Sequence, residues 1–200
     1  MEAINRPVLD LGVATFTLPG EDECGDQHVV MSFAGGVLVA VMDGVGHGTE
    51  AAKAARIAKG ILKSHPNEAL VPLIERCHEA LRDTRGVVMS VASFNHIEKT
   101  MMWAGAGNVQ GKLLSGDTFS QPRTLLLSVG ILGYQVASVY PTVLSIKSGD
   151  TLIFATDGIR EDFDRQLNLK QSPQQLADDI LARSARQTDE ALVLVGRYSG

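Results

Sequence analysis

The chain has 200 residues, 44% of them hydrophobic, and its 18 Lys and Arg against 23 Asp and Glu leave a net charge of −5. That size and apolar content suit one globular domain, taken as residues 1–200, and exclude a disordered chain. No stretch concentrates Lys and Arg, so nucleic acid and anionic membrane surfaces are not expected partners, and no apolar run reaches the roughly 18 residues that span a bilayer.

Met1–Asp10 carries charges and Pro7 and has no apolar signal core. With only Cys24 and Cys77 in the chain, a reducing cytoplasm is the expected compartment. Val8–Leu18 alternates loosely and reads as a strand, Glu21–Asp26 as a polar turn, and His28–Ala34 as a second strand. Gly35-Gly36 is a hairpin turn signal. Val37–Met42 is apolar at every position, as expected of a strand covered on both faces. After the glycine-rich Asp43–Gly48, Glu50–Lys63 is predicted helical with Gly48 or Thr49 as its cap, and Ser64–Asn67 breaks it. Glu68–Thr84 carries Leu70, Leu73, Ile74, Cys77 and Leu81 at helical spacing. Strands are then predicted over Val87–Asn95, Lys99–Ala104, Val109–Leu114, Ser138–Ile146 and Asp150–Thr156, with turns between them, including one at Ser115–Asp117. Gly158–Phe163 reads as a single helical turn. Ser172-Pro173 opens a helix to about Arg186, and Ala191–Arg197 is a last apolar strand. Strands joined by short turns must be antiparallel, so the expected class is α+β, with helices segregated from antiparallel sheets.

Four aspartates fall where strands begin or end: Asp26, Asp43, Asp157 and Asp189. A carboxylate there projects from a rigid base into a loop region, which favours a site. Grouped carboxylates repel one another unless a counter-charge is present. Hard divalent cations supply it through all-oxygen coordination, and a pair of them sharing a water generates a nucleophile for phosphorus. Gly44 would free a backbone carbonyl for a metal, and Gly46 and Gly48 would allow a phosphate to approach. Each Asp-Gly pair taken alone reads equally well as ordinary turn chemistry.

The ordered set is more telling than any member. Gly25-Asp26, Asp43-Gly44-Val45-Gly46-His47-Gly48, Gly105-Ala106-Gly107-Asn108, Thr156-Asp157-Gly158 and Asp189-Glu190 together resemble the metal-dependent protein phosphatase (type 2C-like) superfamily. Within it they are most similar to the bacterial SpoIIE-like branch, and there to the stand-alone feedback phosphatases of the stressosome. The resemblance implies a four-layer αββα sandwich of two antiparallel sheets flanked by helices. It implies two Mn²⁺ or Mg²⁺ ions, with Asp43 bridging them, Asp157 and Asp189 completing one site, and Asp26 and the Gly44 carbonyl serving the other. Asp43 and Asp157 would then act through a metal-bound water. The implied substrates are phospho-Ser and phospho-Thr on stressosome proteins, with dephosphorylation resetting a bacterial stress pathway; a monomer is the default.

Two departures qualify the likeness. Leu192 stands where many members carry a Thr, so a hydroxyl near the last strand is expected to be lost. Glu21, Asp22 and Glu23 occupy the region where larger relatives hold phosphate with an Arg, which leaves phosphate to the metals and implies reliance on docking with a partner. His47 is read as a general acid or, with more weight, as a residue that orders its loop or caps the next helix. Asn108 is read either as a hydrogen-bonding group at the site or as a plain turn residue. Cys24, Cys77 and Met101–Trp103 read as packing residues, and His28, His65, His78 and His96 as surface or boundary residues.

Other classes fit less well. Met42–Gly60 echoes a dinucleotide fingerprint, but Thr49 stands at its third glycine, Asp43 would repel a pyrophosphate, and antiparallel strands follow. Gly111-Lys112 fails as a phosphate loop because Ala106 and Leu113 occupy required positions. The remaining alternative is a catalytically weak phosphoprotein-binding module of the same fold.

Overall fold

A computed structural model describes residues 8–116 and 122–200; the predicted N-terminal stretch before residue 8 and Asp117 of the predicted Ser115–Asp117 turn lie outside the described residues. One five-stranded antiparallel sheet has the order β1 (Leu9–Phe16), β12 (Ala191–Tyr198), β11 (Thr151–Ala155), β6 (Gln110–Leu114), β7 (Arg123–Thr124). The second has the order β10 (Thr142–Ser145), β5 (Thr100–Ala106), β4 (Val87–Asn95), β3 (Gly36–Gly44), β2 (Asp26–Phe33). A hairpin of β8 (Gly130–Ile131) and β9 (Gln135–Val136) stands apart. Helices α1 (Thr49–Ser64) and α2 (Leu70–Ala80) cover the second sheet, and α3 (Pro173–Ser184) covers the first. This is the expected α+β sandwich.

The period of two explains the layering. Along β3, Leu38, Ala40 and Met42 pack toward Ala54, Ala55, Ala58, Leu73 and Cys77 of the helices. Val37, Val39 and Val41 face the opposite sheet, where Phe154 and Leu194 meet them. The same alternation sends Ile153, Ala155, Val193 and Val195 outward to Leu176, Ala177 and Ile180 of α3. Cys77 belongs to the helix-side core, as predicted.

Local chemistry sets the helix starts. Ser172 accepts a hydrogen bond from the Gln175 amide while Gln175 Oε1 accepts one from the Ser172 amide, a capping box with Pro173 at the first turn. Gly48 caps α1 by backbone alone, at φ 74°. Three expectations are corrected. Gly158–Phe163 forms turns rather than helix; the Ile159–Ala185 bridge ties its start to the end of α3. The strand predicted over Ser138–Ile146 covers only Thr142–Ser145, and α2 begins at Leu70 rather than Glu68. β7, β8 and β9 were not predicted; each is two residues long, too short to show a period.

Candidate active site

The site lies where the two sheets meet at one end. Asp26 opens β2 and Asp43 sits next to last in β3, and the antiparallel register sets them directly opposite each other. Both therefore sit at strand ends, within the ladder itself. From the other sheet, Asp157 follows β11 by two residues and Asp189 precedes β12 by two. The two sheets are joined here by Thr156. Its hydroxyl donates to Asp26 Oδ2 at 2.7 Å and accepts from the Leu192 amide at 2.8 Å. The hydroxyl beside the Leu192 backbone is that of Thr156.

Asp26 is buried, Asp43 and Asp157 are half-buried, and Asp189 lies exposed at the rim. Asn108 Nδ2 donates to Asp157 Oδ2 at 2.8 Å, which gives Asn108 the hydrogen-bonding role rather than the plain turn. Asp43, Asn108 and Asp157 share a cleft of about 480 Å³ with Gly46 and Ile131. His47 is exposed and its Nδ1 lies 2.6 Å from Glu21 Oε1, which ties the glycine loop to the segment before β2. It does not cap α1.

The carboxylates are electrostatically unbalanced. Burial, then repulsion from Asp26, Asp157, Asp189 and Glu190, pushes Asp43 up to about 9. Burial raises Asp26 to about 7; the Thr156 hydrogen bond opposes the rise, and Glu190, Asp157 and Asp189 add to it. Asp157 is raised by burial and by Asp189, against the Asn108 hydrogen bond and the Arg186 charge. Burial pushes the nearby Cys24 thiol up to about 11, which keeps it protonated and in a packing role.

Glu190 is the carboxylate that sequence reading passed over. It is only 4% exposed, its Oε2 accepts from the Gly25 amide at 2.7 Å, and its Oε1 has no hydrogen-bond partner. An orphaned buried oxygen among mutually repelling carboxylates, with no soft ligand beside them except a protonated thiol, suits hard oxygen-loving cations. The ligand shell is not preformed: among the described residues no three His, Cys, Asp or Glu side chains converge on one point closely enough to hold an ion.

The glycines also answer to packing and backbone geometry. A Cβ on Gly44 would lie 2.1 Å from the Ala51 carbonyl oxygen, so this glycine lets α1 pack onto the end of β3. Gly46 takes φ 90°, where a side chain is strained, and a Cβ there would meet the Arg85 guanidinium.

The profile of the family "Stage II sporulation protein E (SpoIIE)" matches residues 34–195. Phosphoserine phosphatase RsbX of Bacillus subtilis (strain 168) is 25% identical over 183 residues, covering 90% of each chain. A solved chain from "The bacterial stressosome: a modular system that has been adapted to control secondary messenger signaling" is 34% identical with a TM-score of 0.87, over 94% of this chain and 99% of the other. The crystal structure of RsbX in complex with magnesium matches over 96% of each chain with a TM-score of 0.85. At 22% identity, that last likeness bears on the fold.

Proposed function

This chain belongs to the SpoIIE family, and we propose that it is a divalent-metal-dependent phosphatase that removes phosphate from Ser or Thr of a partner protein in a bacterial stress-signalling complex. The observation that carries the reading is the meeting of Asp26, Asp43 and Asp157 from two sheets in one strained, half-buried cluster. RsbX, similar over nine-tenths of the chain, supports phosphoserine as the target and magnesium as an ion that this fold accepts.

In this reading Asp43, Asp157 and Asp189, with Asp26 and the Gly44 carbonyl, are the groups that would hold a pair of divalent cations. When bound, a Mg²⁺ or Mn²⁺ pair neutralises the carboxylates and makes water nucleophilic near neutral pH. The chain's own part is orientation. Thr156 holds Asp26 and Asn108 holds Asp157, so each carboxylate keeps one oxygen tied. The sandwich excludes water from behind, where the closely packed core of Val41, Val88 and Leu192 lies. His47 orders the glycine loop through Glu21.

The test is phosphate release from a serine-phosphorylated scaffold protein during Mn²⁺ or Mg²⁺ titration, comparing the natural chain with Asp157→Asn. Metal-dependent release that falls by at least about 10²-fold in the variant is expected. Tight binding of the phosphoprotein without release under any divalent metal would replace this reading with the binding module.

A further inference from the structure

We propose that Arg186 anchors the phosphate of the substrate, a dianionic phosphate monoester on a seryl or threonyl side chain; this rests on the phosphatase reading. The departure noted in the sequence, acidic residues where larger relatives place an Arg, leaves the phosphate without a cationic partner in the N-terminal segment. The fold brings one from the other end of the chain.

Arg186 follows α3 and is clamped against the loop that carries Asp157. Its amide donates to the Gly158 carbonyl at 2.8 Å, and its Nε donates to the Asp157 carbonyl at 3.0 Å. The stem and Nε are thereby fixed, while both terminal nitrogens stay available. Arg56, Arg76, Arg82, Arg160 and Arg165 each pair with a carboxylate; among the described residues Arg85, Arg123, Arg183, Arg186 and Arg197 have no such partner within ion-pair distance, and of these five Arg186 is the one that lines a cleft with Asp157. It lines a cleft of about 520 Å³ with Asn108, Gln110, Lys112, Asp157 and Glu161. That cleft shares Asn108 and Asp157 with the one over Asp43, so the two adjoin at this hydrogen-bonded pair.

The other cation lining this cleft is already engaged. Lys112 Nζ donates to Thr124 at 3.0 Å and pairs with Asp164 at 3.2 Å. Arg186 is therefore the cation free to meet an anion beside Asp157. A guanidinium with two terminal NH₂ groups matches two oxygens of a tetrahedral phosphate. Fixing Nε beforehand reduces the entropy lost when the phosphate docks.

The test uses Arg186→Gln, whose amide can keep a hydrogen bond to the Asp157 carbonyl while the charge is lost, and Arg186→Lys, which keeps a charge without the fork. Two readouts are taken in Mn²⁺: steady-state hydrolysis of a phosphoserine peptide, and calorimetric binding of inorganic phosphate. Gln is expected to raise KM and the phosphate dissociation constant together by about ten- to a hundred-fold, with kcat changed by less than about three-fold, and Lys to fall between. Calorimetric affinity for Mn²⁺ alone should be unchanged, and Arg183→Gln, on the α3 surface, should change nothing. Unaltered KM and phosphate affinity in Arg186→Gln overturn the assignment. So does a parallel loss of Mn²⁺ affinity, which would make Arg186 a support for Asp157. If the natural chain releases no phosphate, the phosphatase reading fails, and the calorimetric comparison still decides for or against Arg186.

Discussion

Replacing Asp43 by Asn should make the metal-free protein more stable, although it removes the central residue of the site. Asp43 faces Asp26 across the β2–β3 ladder, and burial with four neighbouring carboxylates raises it from 3.8 to about 9. Below about pH 4 both folded and unfolded chains hold its proton, and the group contributes nothing. As pH rises the unfolded chain ionises while the folded one does not, so folding stability is lost steadily up to about pH 9. At about pH 8 the roughly 4 units above 3.8 correspond to a ceiling of about 6 kcal/mol, at about 1.4 kcal/mol per unit. Asp26 shares the same repulsion and relaxes when Asp43 is neutral, and water reaches this half-buried carboxylate, so a gain of about 2 kcal/mol is the working figure. For a chain of this size that is about 4–8 °C in Tm. Thermal melts in EDTA across about pH 4–9 should show the variant above the natural protein at pH 8, with the gap closing toward pH 4. Excess Mg²⁺ should raise the natural protein, by about 2.7 kcal/mol at a hundred times its Kd, and the variant far less. A variant no more stable than the natural chain in EDTA at pH 8, or equally stabilised by Mg²⁺, refutes the reasoning.

Thr156→Val keeps the shape but strips the hydroxyl that joins the sheets, leaving the Leu192 amide and Asp26 Oδ2 without this partner; a loss of about 2–4 kcal/mol is expected in urea denaturation, with weaker Mn²⁺ binding by calorimetry. Gly44→Ala drives a Cβ to 2.1 Å from the Ala51 carbonyl oxygen, and a Tm drop equivalent to about 3 kcal/mol is expected as α1 is pushed off β3. Gly60→Ala, within α1 and with nothing within 4 Å of the new Cβ, should raise stability by about 1 kcal/mol in the same melts; equal effects of the two alanines would refute the steric account.

The layers were legible because they follow from period. A strand apolar at every position, Val37–Met42, can only be covered twice, and the structure gives it helices on one face and a sheet on the other. The aspartates were legible as an ordered set of strand-end carboxylates, and the register brings Asp26 and Asp43 face to face. What escaped notice depends on relations between strands that lie far apart in sequence. Thr156 reads as the last residue of a strand, yet its hydroxyl serves Asp26 from 130 residues away. Glu190 enters the sequence reading only as the neighbour of Asp189, yet its side chain turns inward against Gly25, 165 residues away. Gly44 reads as a residue that frees its carbonyl for a metal, but the packing constraint on it comes from the Ala51 backbone.

These misses share a cause that also explains the site. The residues that steady the cluster are those that cross from one sheet to the other or close the loops at their junction, and no sequence period encodes such crossings. At the junction the sheets present the starts of β2 and β12 and the ends of β3 and β11 to one another, so backbone polar groups that a ladder would satisfy must find side chains instead. Thr156 and Glu190 meet that need at Leu192 and Gly25. The same loose ends that demand polar partners hold the carboxylates close enough to repel. The joint between the sheets is therefore the place where this fold can hold a strongly charged site at small structural cost.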